Sequence, residues 1–239
     1  MKKAKKLILI ISFLFFSSPF LTINAYELAN PYKRNATLDL YQMMKDIDEL
    51  FNQFDLSYWA IAGTLLGAIR HEGMIPWDHE NDIDIGINKA QEQFFLTLRR
   101  PLNDLGYDIS SIFFGYKIFP KNGCSIVGRN FKFPFIDVFI FSENKEKTKF
   151  TYTWKKKRNF FFASELFPLK RHKFGEFFIN CPNNPMPYLD AWYEDWQNEG
   201  WKYNTTTKEF DHFSLTKKDL APAQPIGPLQ NRVSLPIAN

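Results

Sequence analysis

Asp82 and Asp84, separated by one residue, open the segment Asp-Ile-Asp-Ile-Gly-Ile at 82–87. Its polar–apolar alternation predicts a half-buried strand. Residues two apart on a strand share a face, so the two carboxylates converge while Ile83 and Ile85 turn to the core. Like charges held that close are costly unless a cation neutralises them. Oxygen-only ligation of this kind suits Mg²⁺ or Mn²⁺, which would in turn bind phosphate oxygens. An edge strand with a solvated acidic face would carry the same residues. A third carboxylate, Asp137, interrupts the otherwise apolar run from Phe135 to Phe141. Ionised there, it is expensive unless it is paired or ligates a metal.

Other elements must place these groups. Tyr58–Ala62 reads as a short apolar strand ended by Gly63-Thr64, and Leu65–Glu72 as a helix stopped by Gly73. Such a strand-to-helix turn presents backbone N–H groups and the positive end of a helix dipole to a phosphate, and the Thr64 hydroxyl adds a donor. Gly-Thr is also a routine turn. Apolar residues at helical spacing predict a helix over 37–54, with Thr37 as its N-cap. A second helix is expected from Gln91, ending near Arg99 because Pro101 interrupts it. Strand-like runs follow at Asp108–Phe119, Cys124–Val127 and Pro134–Phe141, then a charged turn over Ser142–Lys149 and a helix over Met186–Gln197.

The stretch from Ala62-Gly63-Thr64-Leu65-Leu66-Gly67 through Pro76-Trp77-Asp78 to Asp82-Ile83-Asp84-Ile85-Gly86 resembles the LicD/fukutin-type phospho-group transferases. Phe167-Pro168-Leu169, Phe174-Gly175, Tyr188-Leu189 and Tyr193-Glu194-Asp195-Trp196 look like that family's C-terminal pattern, so the resemblance spans roughly residues 38–200. It implies an α+β fold, a nucleotidyltransferase-like twisted mixed sheet with packed helices. It implies Mg²⁺ (or Mn²⁺) on Asp82, Asp84 and Asp137, a CDP-linked donor, and a glycan or glycolipid acceptor receiving a phosphocholine- or phospho-polyol-type group. Gly63 and Thr64 become donor-phosphate contacts. Arg70 would counter phosphate charge, or be a surface arginine on an amphipathic helix. The family commonly runs from Pro-Trp-Asp to the aspartate pair in fewer residues, whereas His79-Glu80-Asn81 intervene here. That departure leaves Asp78 as a loop-ordering or accessory metal residue, with Glu80 a further accessory carboxylate. The rival readings are a D-x-D glycosyltransferase using a nucleotide-sugar, and a catalytically inactive exported binding protein of the same fold.

Composition narrows the setting. The 239 residues have room for one sizeable domain, and 26 Phe, 10 Tyr and 6 Trp suggest a bulky aromatic core. Four of the 30 basic residues, Lys2, Lys3, Lys5 and Lys6, lie in residues 1–25, leaving 26 bases against 26 acids. A formally neutral body gives no electrostatic case for nucleic-acid binding. The basic start, the apolar run from Leu7 to Phe16 and Ala25 form a signal-peptide pattern, so export is expected, with an N-terminal membrane anchor as the alternative. Any membrane contact would then run through residues 1–25. The expected organisation is that segment, a linker over 26–36, a catalytic domain over 37–220 and a loosely packed Pro-rich tail over 221–239. Cys124 and Cys181 form one disulfide or remain two buried thiols.

Overall fold

The computed structural model describes residues 36–78, 82–152, 160–204 and 206–225. The expected signal segment, nearly all of the linker, His79-Glu80-Asn81, and the tail from residue 226 lie outside them. Within the described residues the chain is α+β. Helix α1 (Thr37–Gln53) precedes β1 (Tyr58–Ala60), α2 (Ala62–Arg70) and β2 (Ile83–Asn88). Two short helices, α3 (Glu92–Thr97) and α4 (Arg99–Asp104), lead to β3 (Tyr107–Ile112) and β4 (Gly115–Pro120). Then come β5 (Cys124–Ser125), β6 (Lys132–Phe133), β7 (Ile136–Glu143), β8 (Lys149–Thr151), β9 (Phe160–Phe162) and α5 (Ala163–Leu166). The hairpin β10 (Lys170–Phe174) and β11 (Phe177–Cys181), helix α6 (Met186–Trp192), and the hairpin β12 (Glu199–Asn204) and β13 (Glu209–Ser214) complete it. No helix among the described residues is long and apolar enough to cross a membrane.

The main sheet runs β1-β2-β7-β4-β3, with β8 and β9 extending from β7. It is mixed: β2 and β7 are parallel, and the other neighbours antiparallel. Because β1 is antiparallel to β2, the end of β1 and the starts of β2 and β7 share one margin of the sheet. Three of the chemically interesting segments therefore meet there.

Alternation does what the sequence predicted. Ile83, Ile85 and Ile87 of β2 and Ile136 and Val138 of β7 are fully buried. Helix α1 adds Leu40, Met43, Met44, Ile47 and Phe51, and the aromatic load goes mostly inward, as with Trp59 set edge-on to Phe141 at 5.2 Å between ring centroids. Gly86, in register with Trp59, lets this happen. A Cβ at Gly86 would sit 2.8 Å from the rings of both Trp59 and Phe141. Only a residue without a side chain leaves room for them.

Several local readings need correction. Thr37 is not the N-cap of α1: Ala36 occupies that position, and the Thr37 hydroxyl donates to the carbonyl of Gln224 at 2.8 Å. Helix α2 starts at Ala62, three residues early, so Gly63 and Thr64 lie inside its first turn, and it ends at Arg70. The break between α3 and α4 falls at Leu98, with Pro101 in the first turn of α4, where its missing N–H has no helical partner to lose. The run 108–119 is a hairpin that turns at Phe113-Phe114. Gly115 (φ +152°) starts β4, and a Cβ there would meet the Val138 carbonyl oxygen at 2.1 Å. Part of the predicted charged turn belongs to β7 and β8, and α6 stops at Trp192. Cys124 and Cys181 are both free, and burial pushes the Cys181 thiol up in pKa.

The start of the expected loose tail is fastened down. Ala223 donates its N–H to the Met74 carbonyl at 2.8 Å, and its own carbonyl accepts from the Tyr41 hydroxyl at 2.9 Å. Met74 N–H in turn donates to the Tyr41 oxygen. This ring of hydrogen bonds supplies partners that buried backbone groups require.

Candidate active site

Asp84 and Asp137 face each other in register across the parallel β2–β7 pair. Asp82 lies just ahead of β2, two residues before Asp84, and its carboxylate joins the other two. One oxygen from each of Asp82, Asp84 and Asp137 lies within 4.8 Å of the others. Asp137 is buried, and the other two are half-buried. Three oxygen donors at this spacing fit the coordination sphere of a hard divalent cation. Two residues of a D-x-D segment and a carboxylate more than fifty positions later are thus brought together.

Helix α2 begins at the same margin. The Thr64 hydroxyl oxygen accepts from the Asp84 backbone N–H at 2.8 Å, so Thr64 braces the strand that carries the carboxylates. Gly63 and Thr64 occupy the first turn, where helix geometry leaves N–H groups unused by the helix itself. Ala62, at the entry, has φ +46°, a left-handed conformation that costs a non-glycine residue about 1–3 kcal/mol. Tyr188 holds it there: its hydroxyl accepts from Ala62 N–H at 3.4 Å. Tyr152, hydrogen-bonded to Tyr188, links this turn to the cluster. Burial, with a smaller contribution from the charge on Asp84, pushes the Tyr152 phenol up to about 12.

Asp78 lies beside the turn rather than in the carboxylate cluster, its Oδ2 3.6 Å from where a Cβ on Gly63 would stand. Glu80 falls outside the described residues. Arg70 sits at the other end of α2. Its Nη1 donates to the carbonyls of Trp196 (2.6 Å) and Glu199 (3.1 Å), its Nε donates to His71 Nε2 (2.8 Å), and its guanidinium lies over Trp77. The structure thus places Arg70 as a strap between α2 and the β12–β13 hairpin. Burial lowers its pKa to about 10.

His71 accepts from Arg70 through Nε2, so its proton belongs on Nδ1 and the ring is neutral. Burial and then the Arg70 charge lower its pKa to about 4 from 6.5, against opposing contacts from the backbone of residues 219–221. The folded pKa is depressed, so unfolding takes up a proton between these values. His71 therefore contributes stability above pH 6.5 that is lost as the pH falls towards 4, on the order of 2 kcal/mol. Urea titrations at pH 7.5 and 4.5 should show this loss, and it should shrink in His71→Asn.

The sequence reading missed Lys117. It sits on β4 directly opposite Asp137, and its Nζ makes an ion pair and hydrogen bond with Asp137 Oδ1. A lone lysine in the run Tyr116-Lys117-Ile118-Phe119, mirroring the lone Asp137, was the available signal.

The model of the LicD/FKTN/FKRP nucleotidyltransferase domain matches residues 55–184, more than half of the chain. The chain belongs to this family. That stretch of the LicD/FKTN/FKRP domain contains the α2 turn and all three clustered aspartates. An uncharacterised protein of Rickettsia prowazekii is 36% identical over 212 residues, covering 83% of this chain and 73% of that protein. The lipopolysaccharide cholinephosphotransferase LicD of Haemophilus influenzae is 32% identical over 117 residues, 45% of this chain and 43% of that protein. Among solved structures, ANT(2")-Ia in complex with adenylyl-2"-tobramycin aligns over 62% of this chain and 75% of its own, with 14% identity and a TM-score of 0.39. Membership in the LicD/FKTN/FKRP family points to transferase chemistry.

Proposed function

We propose that the protein is a metal-dependent transferase that moves a phosphocholine- or phospho-polyol-type group from a CDP-linked donor to a glycan hydroxyl. The observation that carries this reading is the Asp82/Asp84/Asp137 cluster, within 4.8 Å, at the sheet margin where α2 begins. The family supports the class of reaction. The cholinephosphotransferase name of the Haemophilus relative supports the transferred group.

Asp82, Asp84 and Asp137 would hold Mg²⁺ or Mn²⁺, which when bound neutralises charge on the donor's phosphates. The first turn of α2 then offers its N–H groups and the positive end of the helix to the same phosphates. Thr64 fixes the distance between that turn and β2 through its bond to Asp84. Tyr188 keeps the turn in its strained shape, so the donor meets a prepared surface. We further propose that the protein is exported and begins at Tyr26. N-terminal sequencing of secreted and membrane fractions decides between that and an anchored form retaining Lys2–Ala25.

Purified protein with Mg²⁺ should release CMP from a CDP-alcohol in the presence of an oligosaccharide acceptor, and EDTA should stop the release. Turnover of nucleotide-sugars alone would replace this reading with the D-x-D glycosyltransferase. Glycan binding without turnover of any donor would leave the inactive binding protein.

A further inference from the structure

Lys117 is an uncommon neighbour for a metal-ligating carboxylate. Its side chain is 10% exposed and that of Asp137 is 8% exposed. Burying an ammonium is expensive unless it is paired. Here the compensation comes from two sources. Asp137 supplies the opposite charge, and three phenyl rings supply their negative faces, with Nζ 3.4 Å from the centroid of Phe135, 5.0 Å from Phe131 and 5.7 Å from Phe114. The two backbones are also in register, Lys117 opposite Asp137. Strand pairing, aromatic box and ion pair all fix the same ammonium.

We propose that Lys117 is a positioning residue that serves as a built-in counter-charge of the carboxylate cluster, holding Asp137 in place and limiting the donor-free site to one divalent cation. The charge count supports this. Three carboxylates carry −3, and the buried ammonium brings the group to −2, which one divalent ion neutralises. A second ion would have to arrive with the negative charge of the donor's phosphates. Lys117 also makes the empty site stable, because the like charges of Asp137 and Asp84 are never left without a nearby cation. The inference rests on the proposed metal-binding role of Asp82, Asp84 and Asp137.

Calorimetric titration of Mg²⁺ and Mn²⁺ into the donor-free protein tests it. Wild type should bind one ion. Lys117→Gln, which keeps a hydrogen-bond donor near Asp137 Oδ1 and removes only the charge, should bind Mn²⁺ about tenfold more tightly or better. Lys117→Arg should stay near the wild-type affinity. The kcat of Lys117→Gln should fall while KM for the donor changes little, since an uncharged donor holds Asp137 less firmly than the ammonium does. A purely structural lysine would weaken metal binding or leave it alone when replaced. Affinity in Lys117→Gln that is unchanged within twofold, or lower, overturns the inference, as does binding of two ions by donor-free wild type. If wild type binds no ion, the metal reading itself fails instead. If Lys117→Gln does not fold unaided, recovery of its circular dichroism on adding Mg²⁺ supports the proposal. Failure to recover at saturating Mg²⁺ overturns it.

Discussion

Asp84→Asn should abolish divalent-cation binding in a calorimetric titration and lower transfer by a factor on the order of 10³ or more. Asp82→Asn should behave in the same way. Asp84 stands at the centre of the arrangement, in register with Asp137, two residues from Asp82, and with its backbone N–H tied to Thr64. The substitution preserves shape and the backbone bond while removing one negative charge. In the metal-free protein that loss relieves repulsion, so the melting temperature should hold or rise. Loss of activity with full retention of the fold separates a ligand from a structural residue. Undiminished metal affinity in both variants would remove the metal site from the protein.

The largest expected effect on stability lies far from that cluster, at Asp48 in α1. Its carboxylate is buried and takes a two-pronged contact from Arg171, with Arg171 Nη2 2.7 Å from Oδ2, as well as the hydroxyl of Tyr58. Asp48→Ala leaves a buried phenol and a guanidinium without this partner, and should cost about 3–5 kcal/mol. Urea denaturation with an unchanged m-value is the measurement. Asp48→Asn should cost less, because an amide still offers an acceptor to Tyr58. A cost below about 1 kcal/mol for the alanine variant would show that the pair contributes little beyond its desolvation. Since Arg171 is on β10 and Tyr58 on β1, this one carboxylate joins α1 to both.

These two sites differ in how far they could be read from the sequence. Asp84 and Asp137 were legible because each breaks an apolar pattern on a strand, where a carboxylate needs a reason, and Asp82 because it stands two residues before Asp84, just ahead of β2. Their convergence followed from period-two alternation and from two strands pairing in parallel. Asp48 was not legible, because an acid in a helix that is half polar looks solvated. The partners that make its burial tolerable lie 10 and 123 residues away. Asp46 is similar: buried, it accepts from the Tyr107 hydroxyl at 2.5 Å across 61 residues. Lys117 is intermediate: it stands out as a lone lysine in an apolar run, but its pairing with Asp137 depends on a strand register that no local pattern states.

Boundaries failed where one residue carried two meanings. Pro101 reads as a breaker in a helix interior and is harmless in a first turn, and only the position of Leu98 decides which applies. Phe113-Phe114 carries no turn residue, so the hairpin announced itself only through Gly115. Gly63-Thr64 reads as a turn before a helix, but Tyr188, more than a hundred residues later, stabilises Ala62 and draws the helix start forward.

Thr37 and Gln224 are joined by a hydrogen bond, so the two extremities of the described fold share one corner. Dyes attached at residues 38 and 225, neither of which is buried, would therefore sit within efficient energy-transfer range while the protein is intact. The same corner is tied through Ala223 to Met74, four residues ahead of Asp78. A fall in transfer efficiency would then register loosening of the loop that runs towards Asp78 and the first turn of α2, without a probe placed anywhere near the carboxylates.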